Sequence, residues 1–453
     1  MSELTNTFYD IANAIRYKEN SSNTYKPNEM ANAINNIQSG GGAFVLTSGS
    51  VTGSFNIPVV IPDSVTNMAN AFRQCSNFNQ PVTIPANVNG LFGIFSGCAV
   101  LNQPITFPEN ALGSMAQAFL GCSNFNYPVR LPQGINNLQA VFSNCFNFNQ
   151  PVIIPEMTIT SQLQTATMFA NCHNLNQPVV FPSTAKVLTS VFSNCRNLNQ
   201  AVLIPPTVNN VQYMFTDCYN FGADIIFLND ANMVARGVQY MIENSNISIH
   251  KRIICNNASL FTSDMYCIGR WDSEWQQSGD NYFQPDLNVT VVGNAVAEFN
   301  AQANYGMYFK DSANASEIKP VMVFGDNVNN LSQAFAGSPN FNSYVIIGNN
   351  VEEMEGTFSG CWNFNKPIVF PESIAYTPDL LRGCFNWAST LIFRNTANLY
   401  PWDGTLDDVD PDNHKLIVCD NASKFFNCIR GARWTQDGNT YYNATYNIMI
   451  KQI

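Results

Sequence analysis

The chain has 453 residues, 45% of them hydrophobic and only 12% charged, with a formal net charge of −11. At about 150 residues per domain this length allows about three domains with packed cores. The excess of 32 Asp and Glu over 21 Lys and Arg argues against nucleic acid as a partner, because phosphate-backbone binding needs clustered cations.

Cysteine and histidine arithmetic narrows the function classes further. Thirteen cysteines are an odd number, and the opening Met-Ser-Glu-Leu lacks the basic and apolar regions of a secretory leader, so the thiols are expected to stay reduced. No run approaches the ~18 apolar residues of a membrane span, so no membrane insertion is expected. His173, His250 and His414 lie far apart in sequence, and no C-x-x-C, H-E-x-x-H, G-x-S-x-G or G-x-x-x-x-G-K-S/T pattern occurs. The expectation is a protein that is not an enzyme and holds no metal or cofactor.

In chain order, residues 1–39 come first. Phe8, Ile11 and Ile15 are spaced for one helix face and Met30, Ile34 and Ile37 for another, with Pro27 near the second helix start. A helical hairpin this small cannot bury its own core, so it is expected to anchor the chain to other copies, for example as a trimer, or to another protein. Residues 40–43, opened by Gly40-Gly41-Gly42, form a flexible joint.

Residues 44–228 are periodic. Phe72, Phe95, Phe119, Phe142, Phe169, Phe192 and Phe215 each precede a cysteine by three residues, from Cys75 to Cys218, with separations of 23, 24, 23, 27, 23 and 23. A period in the twenties marks a solenoid. The unit reads V-x-x-L/M-x-x-x-F-x-x-C-x-N-F/L-N-Q-P-V-x-I-P. Its P-V-x-I-P part alternates at period two between prolines, as a short parallel strand does. The preceding V-x-x-L-x-x-x-F-x-x-C part has the three-and-four spacing of one face of a short helical turn. The Asn after each cysteine, as at Asn77, Asn147 and Asn174, is expected to satisfy backbone groups in the turn.

Residues 229–293 break the repeat and read as a cap that covers the apolar edge of the last rung. A second array, 294–394, follows, with Phe335, Phe358 and Leu381 leading to Ser338, Cys361 and Cys384 at 23-residue spacing. Residues 395–453 form a second cap. The two caps match each other: Ile253-Ile254-Cys255-Asn256-Asn257-Ala258-Ser259 against Ile417-Val418-Cys419-Asp420-Asn421-Ala422-Ser423, and Trp275 with Tyr282 against Trp434 with Tyr441. The expected fold class is therefore α/β: two tandem solenoids of about 23-residue repeats, each with a C-terminal cap, behind a helical hairpin.

The repeat resembles the BspA-type leucine-rich repeat, whose units read F-x-x-C-x-x-L-x-x-V-x-I-P, over Phe55 to about Leu228 and Val321 to about Arg394. The inserted N-Q-P, as at Asn79-Gln80-Pro81, is typical of a subset of these repeats. Separately, Asp10-Ile-Ala-Asn-Ala-Ile-Arg16 and Lys26-Pro27-Asn28-Glu29-Met30-Ala31 look like the N-terminal hairpin of tail and baseplate proteins from phages of Gram-positive bacteria. Families with these repeats are mostly surface adhesins. Together the resemblances imply a virion structural protein, in a tail, baseplate or tail fibre, made in the host cytoplasm, that attaches the particle to a host surface glycan or protein. A capsid decoration or baseplate scaffold without receptor binding is the alternative they leave open, and a bacterial surface adhesin stands behind it.

Two rows of side chains are candidate partner surfaces. The middle residue of P-V-x-I-P gives Val60, Thr83, Thr106, Arg130, Ile153, Val180, Leu203 and Ile226, a row that turns aliphatic in its second half. Four exposed aliphatic rungs call for an explanation: packing on a neighbouring copy or cap, or a receptor surface. Ile346, Val369 and Ile392 repeat the pattern, which favours packing. The residue after each cysteine gives Phe146, His173, Arg196 and Tyr219, then Trp362 and Phe385. These are contact residues for a glycan or protein, or edge residues packed on the caps. Trp275 and Trp434 sit beside hairpin signals and read first as cross-strand packing. The run Asp403, Asp407, Asp408, Asp410 and Asp412 reads as a solvated turn, lacking the Gly and distal Glu of an EF-hand.

Overall fold

The computed structural model describes residues 44–453 apart from 47–49, 52, 159–162, 229, 234–236, 264–267, 270–271, 401, 403–404 and 407. The expected hairpin, its residues Phe8, Ile11, Ile15, Met30, Ile34 and Ile37, and the glycine joint lie outside the described residues, as do Asp403 and Asp407. The described residues divide into two compact units, one running up to residue 225 with 230–253 and 258–291, the other of 226–229, 254–257 and 292–453.

In the first unit the P-V-x-I-P segments form short parallel strands. Val82–Thr83 pairs with Ile105–Thr106, and Val129–Arg130 with Val152–Ile153, each one rung from its partner. A second ladder runs through Leu112–Ser114, Gly134–Asn137, Leu163–Gln164 and Ala185–Val187. Proline bounds these strands because it supplies no N–H to extend the ladder.

The segment before each cysteine is not helical. It is a run of β-turns with left-handed residues every fourth position, such as Asn70 (φ 58°) and Gln74 (φ 62°). The N–H groups of Ala71 and Cys75 close turns onto the carbonyls of Met68 and Phe72, while those of Met68, Asn70, Phe72 and Gln74 donate to Gly90, Phe92, Ile94 and Ser96 of the next rung at 2.7–2.8 Å. Half the N–H groups therefore point along the stack, and none is left for the i to i−4 bonds of an α-helix. The three-and-four spacing survives because these turns also return every fourth side chain to one face. This corrects the α/β expectation: among the described residues the fold is mostly strand and turn, with one four-residue α-helix at Ser259–Thr262 and three short 3-10 segments.

Inside the coil, Phe72, Phe95, Phe119, Phe142, Phe169, Phe192 and Phe215 are fully buried. They stack with centroids 5.3–5.8 Å apart. In the second unit Phe309, Phe335 and Phe358 do the same at 5.1 and 5.6 Å. The thiols from Cys98 to Cys218, and those of Cys361 and Cys384, donate to the carbonyl of the phenylalanine one rung back, as Cys145 does to Phe119 at 3.1 Å and Cys384 to Phe358 at 3.0 Å, while Cys75 donates to Val51. The cysteines so described are free and buried.

Asparagine links the rungs in a different way from the one expected. The Asn directly after the post-cysteine residue bonds side chain to side chain, Asn147 to Asn124 and Asn197 to Asn174. The Asn two residues later serves the backbone: Oδ1 of Asn126 accepts from the N–H of Asn149, and Oδ1 of Asn149 from that of Asn176, both at 2.8 Å. The expected role is thus real but belongs to the second Asn of N-F/L-N.

The second unit stacks Val296–Phe299, Val321–Phe324 and Tyr344–Ile347 in parallel. It ends in a six-stranded sheet ordered Ile368–Phe370, Thr390–Phe393, Lys415–Cys419, Ile448–Gln452, Thr440–Asn443, Thr435–Asp437, whose last two pairings are antiparallel. The strands Val202–Ile204, Asp224–Phe227, Lys251–Ile254, Val289–Val292, Asn281–Gln284 and Gln276–Ser278 form the corresponding sheet earlier in the chain.

Two outcomes test these linkages. Asn149→Leu strands the N–H of Asn176 and should cost about 1–3 kcal/mol in a urea unfolding measurement, whereas Asn149→Asp keeps an acceptor and should cost less; equal losses would contradict the backbone role. Burial raises ten described thiols, Cys75, Cys218 and Cys361 to about 12 against an ordinary 9.0 and the others also upward. Their stabilisation is complete below pH 9 and is lost as pH rises from 9 towards 12, since only the unfolded thiols ionise there. The urea midpoint should therefore fall between pH 8.5 and 10.5; a flat or rising midpoint would contradict it.

Candidate functional site

The strand-face row divides in the structure. Val60, Thr83 and Thr106 are exposed, and Arg130, Val180 and Leu203 are half-buried, with Arg130 in an ion pair to Glu109 at 3.8 Å. Ile153 and Ile226, at 2% and 0% exposed, offer nothing to a ligand. Asp224–Phe227 is buried at all four positions, which explains Ile226. In the second unit Ile346 and Val369 are half-buried and Ile392 is buried. The run of four exposed aliphatic rungs is therefore not formed.

The post-cysteine row stands out into solvent. Phe146 and Tyr219 are 40% and 46% exposed, and Trp362 and Phe385 are 63% and 53% exposed. Their backbone holds them in register from rung to rung. The carbonyl of Phe146 accepts from Asn174, that of His173 from Asn197, that of Arg196 from Asn220, and that of Trp362 from Asn386. Each projects because the cysteine before it points inward and the Asn after it completes the amide ladder.

In the first unit a polar network orients this row. Asn144, Asn171 and Asn194 occupy left-handed turn positions, where Asn is tolerated better than bulkier residues. Asn171 donates to Asn144 and Asn194 to Asn171, both at 2.8 Å. The same Asn194 amide nitrogen lies 3.2 Å from Nε2 of His173, and its Oδ1 accepts from Nε of Arg196 at 2.9 Å. An amide nitrogen only donates, so Nε2 accepts and the neutral ring carries its proton on Nδ1. Partial burial, reinforced by Arg196, holds His173 below the usual imidazole range. Its ring stacks on Phe146 with centroids 4.9 Å apart. Aromatic faces, an imidazole N–H and an oriented guanidinium thus line consecutive rungs, a set suited to binding and without a nucleophile or paired carboxylates for catalysis.

In the second cap the hairpin aromatics Trp434 and Tyr441 are partly buried and pack against the core. Trp434 donates from Nε1 to the carbonyl of Phe426 at 2.9 Å, and Tyr441 packs on Phe426 with centroids 5.0 Å apart. Asp408 pairs with Arg382 at 3.5 Å, and Asp410 accepts from the N–H of Asp412 at 3.0 Å. Among the described residues no three His, Cys, Asp or Glu side chains converge to hold a metal ion, and no helix is long and apolar enough to cross a membrane.

A pair of buried lysines was missed by the sequence reading. Lys251 and Lys415 are fully buried. Lys251 donates to the carbonyls of Asn246 and Ile249, both at 2.7 Å. Lys415 donates to Asp410, Asn413 and Tyr446 at 2.5, 2.6 and 3.1 Å. Burial pulls both down to about 8. The signal was present as His-Lys two residues ahead of Ile253 and of Ile417.

The description "BspA type Leucine rich repeat region (6 copies)" matches residues 93–222 and 139–265. This part of the chain, residues 93–265, is similar to BspA-type leucine-rich repeats. A second family, described as "Mycoplasma protein of unknown function, DUF285", matches residues 54–131 and 306–372, one segment in each unit. Two crystal structures are similar. A leucine-rich repeat protein from Bacteroides ovatus is 16% identical over 83% of this chain and 86% of that one, with a TM-score of 0.30. A leucine rich cell surface protein from Faecalibacterium prausnitzii is 15% identical over 78% of each, with a TM-score of 0.22. No curated protein matches the chain.

The lysine cages give a direct prediction for these leucine-rich repeats. Lys415→Met removes three hydrogen bonds to the carbonyls of Asp410, Asn413 and Tyr446 and should lower stability by about 1–3 kcal/mol in urea unfolding. An unchanged midpoint would contradict a structural role for this side chain.

Proposed function

We propose that this chain is an attachment protein of a tailed phage, placed in the tail, baseplate or tail fibre, that holds the particle to its host through the post-cysteine rows of its leucine-rich repeats. The observation that carries the binding half of this reading is the exposure of aromatic side chains at one repeat position in both units: Phe146 and Tyr219, Trp362 and Phe385. Solvent-facing aromatics in register are costly to leave bare and are the residues that dominate binding surfaces. The virion half rests on the likeness of Asp10 to Arg16 and Lys26 to Ala31 to phage tail and baseplate hairpins. That segment would join other virion proteins and copies of this chain, a trimer for example. Several copies on one particle turn shallow contacts into firm adsorption. The chain acts as a binder without catalysis.

Antibody to the full chain should label the tail tip of purified particles, and the full chain should block their adsorption to susceptible cells. Phe146→Ser with Tyr219→Ser, folded by circular dichroism, should weaken that block at least about tenfold. Labelling of the capsid shell, or undiminished blocking by the variant, would overturn the corresponding half of the reading. Steady release of reducing ends from host wall polysaccharide would overturn the non-catalytic part.

A further inference from the structure

In the second unit the position directly before each inward Ser or Cys holds Gly337, Gly360 and Gly383, all left-handed with φ of 69°, 74° and 70°; the first unit has Asn144, Asn171 and Asn194 in its middle rungs and glycine at Gly97 and Gly121. The backbones at these glycines lie against each other. A Cβ on Gly360 would sit 3.6 Å from the Cα of Gly337, and one on Gly383 3.5 Å from the Cα of Gly360. Gly360 and Gly383 thus form a short shelf of bare backbone, while the Asp311 carboxylate lies against Gly337. Beyond each cysteine of the same rungs stand Trp362 and Phe385, 63% and 53% exposed. Next to them runs an amide rank in which Asn386 donates to Asn363 at 3.0 Å and Asn363 to Asn340 at 3.3 Å. One bond per amide leaves the second N–H of each Nδ2 unspent.

We propose that this strip of the second unit is a binding platform for a neutral, extended polysaccharide, one sugar per rung. The proposal rests on the attachment reading and names the ligand class for that unit. The aromatic rings supply apolar contact for the CH faces of pyranose rings, the unspent amide N–H groups meet ring and hydroxyl oxygens, and the glycine shelf lets the chain lie close to the backbone. The occupant is neutral because the post-cysteine position of these rungs holds Pro339, Trp362 and Phe385, and the nearby cation Arg382 already faces the carboxylates of Asp379 and Asp408, in a chain of net charge −11. A protein partner fits less well, since the two aromatics are flanked by glycine and asparagine and do not form the core of a broad apolar patch.

The test uses the full chain in affinity gels and titration calorimetry with three probes: an oligosaccharide of equatorially linked neutral hexoses, polygalacturonate, and choline. The neutral probe should bind. Trp362→Ala should weaken it at least tenfold and Trp362→Phe less, with unchanged unfolding midpoints. Gly383→Ala serves as a control for the shelf, expected to weaken binding where the fold is retained. No binding of the neutral probe, binding of polygalacturonate or choline instead, or neutral binding indifferent to Trp362→Ala would overturn the proposal. Cell binding separates this from the broader reading: if the full chain binds susceptible cells and Trp362→Ala with Phe385→Ala binds them equally, the platform falls and attachment stands. If the full chain binds no cells, attachment falls while the neutral-probe result still decides the platform.

Discussion

The constraint on which the structure depends is the destination of the backbone N–H groups between the strand of one rung and that of the next. A strand of two or three residues satisfies little, and a buried N–H without a partner costs as much as several good contacts contribute. This fold answers with consecutive turns whose left-handed residues aim alternate N–H groups at the neighbouring rung. Once that is set, the rest follows. Phenylalanines fall into register and stack, thiols meet the carbonyl one rung back, and asparagine side chains bridge the bend where neither strand nor turn can reach.

This explains both what could be read from the residues and what could not. The recurrence of Phe-x-x-Cys every 23 to 27 residues reports rung length directly, so the stacking and the inward Phe and Cys were legible. The helical turn was not, because turns of this kind and a short helix place apolar residues at the same three-and-four spacing; only the hydrogen bonds distinguish them. The two asparagines of N-F/L-N look equivalent in sequence, and which one serves the backbone depends on where the chain bends. Ile153 and Ile226 were misplaced for a related reason: alternation tells which face a side chain takes, and it is silent on what later covers that face.

The caps bring in a second kind of logic. An array that satisfies itself only by adding rungs must stop somewhere, and here the closing sheets turn antiparallel, ending on the polar strands Gln276–Ser278 and Thr435–Asp437. Buried Lys251 and Lys415 gather the carbonyls of the turns that lead into these sheets. A lysine reads as surface in any hydropathy pattern, so its recurrence beside the matched cap motifs was the available clue.

The proposed binding surface is what remains when these demands are met. In each rung the position after the cysteine is turned outward by its neighbours and is free to vary, and there the aromatic and cationic residues collect. The most direct test is hydroxyl-radical footprinting of the full chain with and without fragments of susceptible cell envelope. Protection concentrated at Phe146, His173, Tyr219, Trp362 and Phe385, with Val60 and the hairpin residue Tyr442 unchanged, is the predicted result. Protection confined to the strand face or the caps, with the post-cysteine row still oxidised, would contradict the account.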